Sequence, residues 1–220
     1  MKSTSSAIRV AIVAGLAAVT AAPAGIRDKA YEVGVYAGIE NGDQRTSVPS
    51  GGSFGIRAGY AFTKKIMAEL TVDGFPASRQ ITERVGDPSL PIQQVPIETN
   101  PSATFVSYML GLTANFLTER DVKTNPYFNV SLGFVNESRG SSDFTVRTNP
   151  NDPNSVISGT VLARKDTGTG LSVSAGARTF LRNNFGIRYE VRYIHHDTFA
   201  INQDGFQFSA GATFVLGGKK

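Results

Sequence analysis

Eight segments of the chain alternate between apolar residues and polar or small residues, and this pattern of period two limits the fold more than any other feature. Successive side chains of a β-strand point to opposite faces of the sheet, so strict alternation predicts half-buried strands rather than helices. The segments lie at 31–39, 54–62, 66–72, 106–116, 128–134, 171–177, 185–193 and 206–216. We therefore predict an all-β fold.

The connections between these segments alternate between short and long. Thr63–Lys65 and Arg182–Asn184 are short, whereas 41–52, 76–103 and 136–167 are long. Thr118–Asn125 is slightly longer than the two short turns, and the last connection, Thr198–Asp204, is short. The long segments 76–103 and 136–167 contain prolines, which cannot donate to a hydrogen-bonded ladder, so we expect loops and no central strands there. Short turns at one end and long loops at the other are typical of bacterial membrane barrels.

The N-terminus has the organisation of an export signal. Lys2 and Arg9 precede an apolar run, Val10–Ala22, of about 13 residues, and small residues continue to Ala24. This order predicts a secretory signal, with residues 1–24 removed and residues 25–220 forming the mature domain. A buried N-terminal helix is the alternative. The chain has no run of 18 apolar residues, so no ordinary membrane-spanning helix is expected.

Alternation predicts a two-faced sheet but leaves open which face is inside. The polar face is rich in glycine and serine, for example Gly34, Gly59 and Ser131. The interior of an eight-stranded barrel is narrow and needs small residues, which favours placing this face inward. A secreted soluble barrel with the opposite assignment is the alternative.

Aromatic residues gather near the ends of the predicted strands, with aliphatic residues between them. Two such belts are typical of a bilayer with two interfaces. The predicted aromatic girdle consists of Tyr31, Tyr60, Phe62, Phe116, Phe128, Phe185 and Phe214 at the short-turn end and of Phe54, Phe105, Phe134, Tyr193 and Phe206 at the long-loop end. We therefore predict a closed eight-stranded antiparallel up-and-down transmembrane β-barrel.

The strand pattern, the segment Arg188-Tyr-Glu-Val-Arg192 and the closing strand 206–217 resemble the small outer-membrane barrels: the OmpA transmembrane domain, OmpX and the opacity-type porin-like proteins. The resemblance implies a bacterial outer-membrane location, contact with outer-membrane lipid and lipopolysaccharide, and insertion by the barrel-assembly machinery. The last strand of such proteins usually ends at an aromatic residue, whereas here the alternating apolar row continues past Phe214 to Leu216. We expect a monomer.

The predicted inward face carries equal numbers of acids and bases. They are Glu32, Glu69, Asp73 and Glu190, with Arg57, Arg178, Arg188 and Arg192. A buried charge without a partner is costly, so this balance predicts an interior charge network. The short turns place Arg57 diagonal to Glu69 or Asp73, and Arg178 diagonal to Glu190. A polar plug follows from this arrangement, with a narrow channel or a small hydrophobic-solute carrier as the alternative.

Residues that could perform chemistry are few. The chain has no cysteine, and its two histidines stand together in His195-His196-Asp197. Alternation places His195 and His196 on opposite faces, so a shared metal is not expected. Some barrels of this size resemble lipid-modifying enzymes with a His-x-Ser pattern, but here Thr198 stands two residues after His196, at the position of the serine. We predict no catalytic residue, no metal and no cofactor.

Composition adds one exclusion. Lys and Arg number 22 against 18 Asp and Glu, and no basic run occurs, so nucleic acid is not an expected partner. The predicted function is that of a non-enzymatic structural anchor whose surface loops mediate recognition or adhesion and would hold an extracellular ligand. An outer-membrane lipid-modifying enzyme is the less favoured alternative.

Overall fold

The computed structural model describes residues 26–41, 50–78, 81–87, 90–99, 101–117, 123–147, 156–182, 184–198 and 201–219. None of these residues belongs to a helix long and apolar enough to cross a membrane. Residues 1–24 lie outside the described ranges, so the export signal stays a prediction.

Almost all described residues belong to β-strands. In chain order the strands are β1 (Asp28–Asn41), β2 (Gly51–Ala61), β3 (Ile66–Ser78), β4 (Ile81–Asp87), β5 (Leu90–Thr99), β6 (Ser102–Asn115), β7 (Thr124–Arg139), β8 (Ser142–Arg147), β9 (Val156–Val161), β10 (Arg164–Arg182), β11 (Phe185–Thr198) and β12 (Ile201–Lys219).

Eight of these strands form a closed antiparallel barrel in the order β1-β12-β11-β10-β7-β6-β3-β2. The first and last strands close it, in a register that runs from Asp28 opposite Lys219 to Asn41 opposite Phe206. All eight alternating segments of the sequence coincide with these barrel strands, and only Phe62 and Phe116 stand just beyond the ends of β2 and β6. The predicted fold class, a closed eight-stranded up-and-down barrel, is confirmed.

The turn between β2 and β3 shows how the sequence sets a short connection. The hydroxyl oxygen of Thr63 accepts hydrogen bonds from the backbone N–H groups of Lys65 and Ile66, at 3.2 and 3.1 Å. The backbone N–H of Phe62 donates to the carbonyl of Ile66 at 3.0 Å. Threonine thus satisfies backbone donors that the end of the ladder leaves open.

Two long segments predicted to be loops contain additional strands, which corrects that expectation. Within 76–103, β4 and β5 pair from Ile81 opposite Thr99, and within 136–167, β8 and β9 pair from Ser142 opposite Val161. We call these the two outer hairpins. Each is a separate two-stranded sheet, so both of its strands are edge strands. Proline is tolerated at edges, which explains how β5 accommodates Pro96.

Several barrel strands are also longer than the sequence predicts. β11 continues to Thr198 and β12 begins at Ile201, so the predicted connection Thr198–Asp204 is mostly strand. β10 and β12 have 19 residues each, whereas a bilayer is crossed by about 9–11. The barrel wall therefore extends beyond the membrane.

The outer surface of the barrel is apolar and the inner surface is mainly polar. On β6 the exposed Tyr108, Leu110 and Leu112 alternate with the buried Ser107 and Thr113. A continuous apolar exterior of this kind needs a non-aqueous surrounding. The soluble-barrel alternative, in which apolar side chains fill the inside, does not fit this arrangement.

Candidate functional site

The lumen of the barrel is the most highly charged buried region of the described residues. All eight charged residues predicted to point inward are buried, with at most 5% of each residue exposed. They are Glu32, Arg57, Glu69, Asp73, Arg178, Arg188, Glu190 and Arg192. Alternation along five separate strands delivers them to one space.

Glu190 forms one centre of this charge network. Its carboxylate lies 2.8 Å from Arg188, 2.8 Å from Arg192 and 3.2 Å from Arg57. Arg192 also contacts Asp73 at 2.9 Å, and the hydroxyl of Ser107 donates to Asp73 at 2.6 Å. The acid therefore connects three of the four lumen arginines.

Glu69 and Glu32 form a second centre. Both terminal nitrogens of Arg188 bind the Glu69 carboxylate, one of them at 2.9 Å, which is the bidentate geometry typical of strong arginine–carboxylate pairs. Arg178 donates to Glu32 at 2.9 Å and lies 3.8 Å from Glu69. Thr213 also donates to Glu32, at 2.8 Å.

The expected partner of Arg178 needs correction. Arg178 was predicted to pair diagonally with Glu190, but its ion pairs are with Glu32 and Glu69. Arg178 lies directly opposite Arg188 on the neighbouring strand, and Arg188 reaches both Glu69 and Glu190. The lumen is narrow enough for long side chains to reach across it, so the nearest partner need not be on the adjacent strand.

Two tyrosines that sequence reasoning left without a role organise the arginines. Arg178 and Arg188 each lie 4.2 Å from the centre of the Tyr127 ring, and the Tyr127 hydroxyl donates to Glu190 at 2.6 Å. Arg57 and Arg192 lie 4.2 and 5.6 Å from the Tyr36 ring. Each ring combines cation–π contact with a hydrogen bond to an acid of the network.

Glycines make room for these rings. A Cβ placed on Gly176 or on Gly55 would lie 2.5 Å from the hydroxyl oxygen of Tyr127 or Tyr36, respectively. The sequence signal that would have found the tyrosines is therefore a large aromatic residue among inward glycines. It was present at Tyr36, which stands between Gly34 and Gly38.

Apolar side chains cover the charge network at both ends of the lumen. Towards the short turns the buried cluster consists of Ile26, Ala30, Ala61, Met67, Phe180 and Val215. Towards the outer hairpins it consists of Phe75, Ala103, Phe105, Met109, Val135 and Ile194. We call these the inner and outer apolar clusters. They separate the ion pairs from water, which strengthens each pair electrostatically and raises the cost of breaking one.

Phe105 was predicted as part of the aromatic girdle, but it points into the barrel, which corrects that prediction. Only 3% of it is exposed, and its ring stacks on Phe75 inside the barrel with 6.1 Å between ring centres. The error came from using its position along the strand without its parity, because Val106 and Tyr108 occupy the outward row of β6. Tyr108 stands on the outer surface at that end, directly opposite Phe134.

The other predicted girdle residues are placed on the outer surface. Tyr31, Tyr60 and Phe62 form one contact series, with 5.1 and 5.3 Å between ring centres. Phe185 contacts Phe214 at 5.0 Å, and Tyr193 contacts Phe206 at 5.5 Å. The remaining exposed members are Phe54, Phe116, Phe128 and Phe134.

The two histidines lie on opposite sides of the barrel wall. His196 is buried in the lumen, whereas His195 faces outward and contacts Asp204 at 2.8 Å. The hydroxyl of Tyr193 donates to the same Asp204 carboxylate at 2.6 Å. Among the described residues no cluster of three or more histidines or acids could hold a metal ion.

The comparisons with known proteins agree with this architecture. The sequence profile of the outer membrane protein beta-barrel domain matches residues 10–214. None of the curated proteins matches the chain.

Solved structures with a similar fold include two small outer-membrane barrels of bacteria. Neisserial surface protein A is 14% identical, with a TM-score of 0.50 and coverage of 86% of this chain and 98% of that chain. The outer membrane protein OprG from Pseudomonas aeruginosa is 12% identical, with a TM-score of 0.51 and coverage of 87% and 98%. At these identities the likeness concerns the fold alone.

Proposed function

The chain belongs to the family of outer membrane protein β-barrel domains, and we propose that it is a non-conducting, non-enzymatic anchor that presents two outer hairpins for recognition or adhesion at the bacterial surface. The observation that carries this proposal is the filled lumen. Four acids and four arginines are paired there between the inner and outer apolar clusters.

A continuous water path would have to break this arrangement. An eight-stranded barrel has an interior that side chains can fill, and here Arg178, Tyr127 and Met67 are among the largest fully buried side chains. Removing one partner of a buried ion pair costs about 3–5 kcal/mol, so spontaneous opening through the network would be rare.

Conductance in planar lipid bilayers tests the anchor against the channel. We expect no discrete current steps from protein whose folded state has been checked on an unheated SDS gel. A porin with 16 strands, which leaves an aqueous channel, serves as the positive control in the same bilayer. Reproducible unitary steps from the folded protein would establish the channel instead.

Display of the outer hairpins at the surface can be tested with single cysteines, since the chain has none of its own. Thr145 is exposed on β8, and its matched control Lys65 is exposed in the short turn at the opposite end of the barrel. On intact cells a membrane-impermeant maleimide is expected to label Thr145→Cys and to spare Lys65→Cys until the outer membrane is opened. The reverse pattern would invert the topology.

The non-enzymatic part of the proposal rests on the separation of the two histidines by the barrel wall. The experiment compares the mass of lipid A from cells with and without the protein. We expect identical spectra, whereas loss or gain of an acyl chain that depends on His195 or His196 would establish a lipid-modifying enzyme.

The proposed location also requires export through the N-terminal segment. We propose that residues 1–24 act as a cleaved signal, because two basic residues, an apolar run and small residues follow one another there. Mass spectrometry of the purified protein is expected to find a mature N-terminus just after Ala21 or Ala24. An N-terminus at Met1 in the membrane-inserted protein would contradict cleavage.

A further inference from the structure

The base of the β8–β9 hairpin carries a concavity with two distinct kinds of wall. Its volume is about 600 Å³, within the range of small-molecule sites. Phe144, Ile157, Val161 and Leu162 supply apolar surface. Arg139 and Arg164 supply positive charge, and none of the residues that line the concavity is acidic.

The apolar wall follows from the same period of two that builds the barrel. Phe144 and Ile157 lie on one face of the hairpin, while Asp143 and Thr160 are hydrogen-bonded to each other on the other face. A Cβ on Gly159 would lie 2.7 Å from the Phe144 ring, so the missing side chain lets that ring lie across the strand. Leu162, at the end of the hairpin, is 76% exposed in the described structure.

The positive wall is formed where β7 ends and β10 begins. Arg139 and Arg164 are directly opposite each other in the antiparallel register. This register brings two guanidinium groups to the lining of one concavity. The Nε of Arg164 contacts Asp166 at 3.0 Å, on the side towards the barrel, and Asp166 does not line the concavity.

We propose that this concavity binds an anionic amphiphile from the external water, with a carboxylate or sulfonate group at Arg139 and Arg164 and an alkyl chain against Phe144 and Leu162. Arginine is suited to such groups because its nitrogens can bind two oxygens at once. The two arginines continue the lumen-facing rows of β7 and β10, whereas Lys165 stands in the outward row. The ligand therefore enters from the solvent and not from the bilayer.

This inference deepens the proposed function and rests on it only for the exposure of the hairpin to the external medium. Octanoate is a suitable probe because it is water-soluble and carries both required groups. The protein is placed in nanodiscs of zwitterionic phosphatidylcholine, and backbone amide shifts are followed by NMR. We expect saturable shifts concentrated at residues 157–164, and much smaller shifts with the same concentration of octanol.

Two variants and one matched control make the assignment specific. Arg164→Gln is expected to raise the Kd for octanoate about tenfold, the loss of one charge-assisted hydrogen bond. Leu162→Ser is expected to weaken binding through the alkyl chain. Arg147→Gln removes an exposed arginine of the same hairpin that does not line the concavity, and it should leave the Kd unchanged.

Several outcomes would overturn the proposal. They are equal shifts with octanol, an unchanged Kd in Arg164→Gln, or octanoate shifts confined to lipid-facing residues. Movement of the same amides when phosphatidylglycerol replaces phosphatidylcholine would assign the site to a membrane headgroup instead. If Arg164→Gln does not fold, the octanoate and octanol comparison on the native protein still decides. Failure of all octanoate binding leaves the cysteine-labelling and conductance results unaffected, so the two proposals are tested separately.

Discussion

Glu190 is the acid whose loss the lumen would tolerate least. Three arginines, Arg57, Arg188 and Arg192, lie within 3.2 Å of its carboxylate. Glu190→Ala is expected to destabilise the protein by about 3–5 kcal/mol, because it leaves buried cations with too few acids. Urea unfolding from lipid vesicles measures this change. The matched control is Asp166→Ala, which removes a partly exposed pair with Arg164 and should cost at most about 1 kcal/mol.

A double-mutant cycle then separates true partners from mere neighbours. Glu190 and Arg57 are in contact, so adding Arg57→Ala should recover part of the loss, with a coupling of about 0.5–3 kcal/mol. Arg178 pairs with Glu32 and Glu69, and its coupling to Glu190 should be the smaller of the two. Equal couplings, or a neutral Glu190→Ala, would show that the charge network is wrongly assigned.

Val191 tests the opposite face of the same strand. It stands on the outer surface between Tyr189 and Tyr193, next to Glu190 in sequence but across the wall from it. Val191→Arg places a cation in the lipid-facing band and should cost about 2–4 kcal/mol in the same unfolding assay. Val156 has a similar exposure but lies on the outer hairpin, so Val156→Arg should be nearly neutral. Similar costs at both sites would contradict the assignment of Val191 to the membrane and of Val156 to the water outside it.

At the level of elements, the β8–β9 hairpin is an addition to the barrel and not part of its sheet. β7 and β10 pair with each other as far as Arg139 and Arg164, so the barrel sheet is closed at this point without the hairpin. Isolated two-stranded hairpins are only marginally stable. Replacing residues 142–161 by a short turn should therefore leave the unfolding free energy within about 1 kcal/mol of the native value. Failure of the shortened chain to insert into lipid vesicles would show that the hairpin is needed for barrel formation.

The sequence predicted the barrel strands well because each has one lipid face and one lumen face, which imposes a strict alternation. The outer hairpins have no such constraint, and their prolines are compatible with edge strands as well as with loops, so the sequence alone does not distinguish the two. Alternation also identified the inward charges but not their partners. Which residues meet across a lumen depends on how the closed sheet is staggered, and that information is absent from any single strand. Arg178 and Phe105 were misassigned for these reasons of geometry and parity.

At the scale of the whole molecule, the hydrogen-bonded strands of the barrel form a closed sheet without a free edge. Every barrel strand has two neighbours in the described structure, so detergent finds no open row of backbone groups. We therefore expect the folded protein to migrate differently on an SDS gel before and after boiling. Identical migration of a sample shown to be folded in lipid would count against closure.

Closure itself depends on the pairing of the first and last barrel strands, and a pair of introduced cysteines can test it directly. Ala37 of β1 lies opposite Ala210 of β12, and both face the lipid. Opposite residues in an antiparallel pair have Cα atoms about 4.5–5.5 Å apart, within the range that a disulfide spans.

The variant Ala37→Cys with Ala210→Cys should therefore cross-link on mild oxidation of the folded protein, and its boiled, unreduced form should migrate faster than its reduced form. The matched control combines Ala37→Cys with Ala212→Cys, which lies two residues away and pairs with Val35. Its cysteines stand about 7–8 Å apart on the diagonal, too far for a disulfide without movement of the backbone. Cross-linking of the control in place of the first pair would shift the register of the seam by two residues. Cross-linking of neither would mean that the first and last strands do not meet, and the barrel would be open.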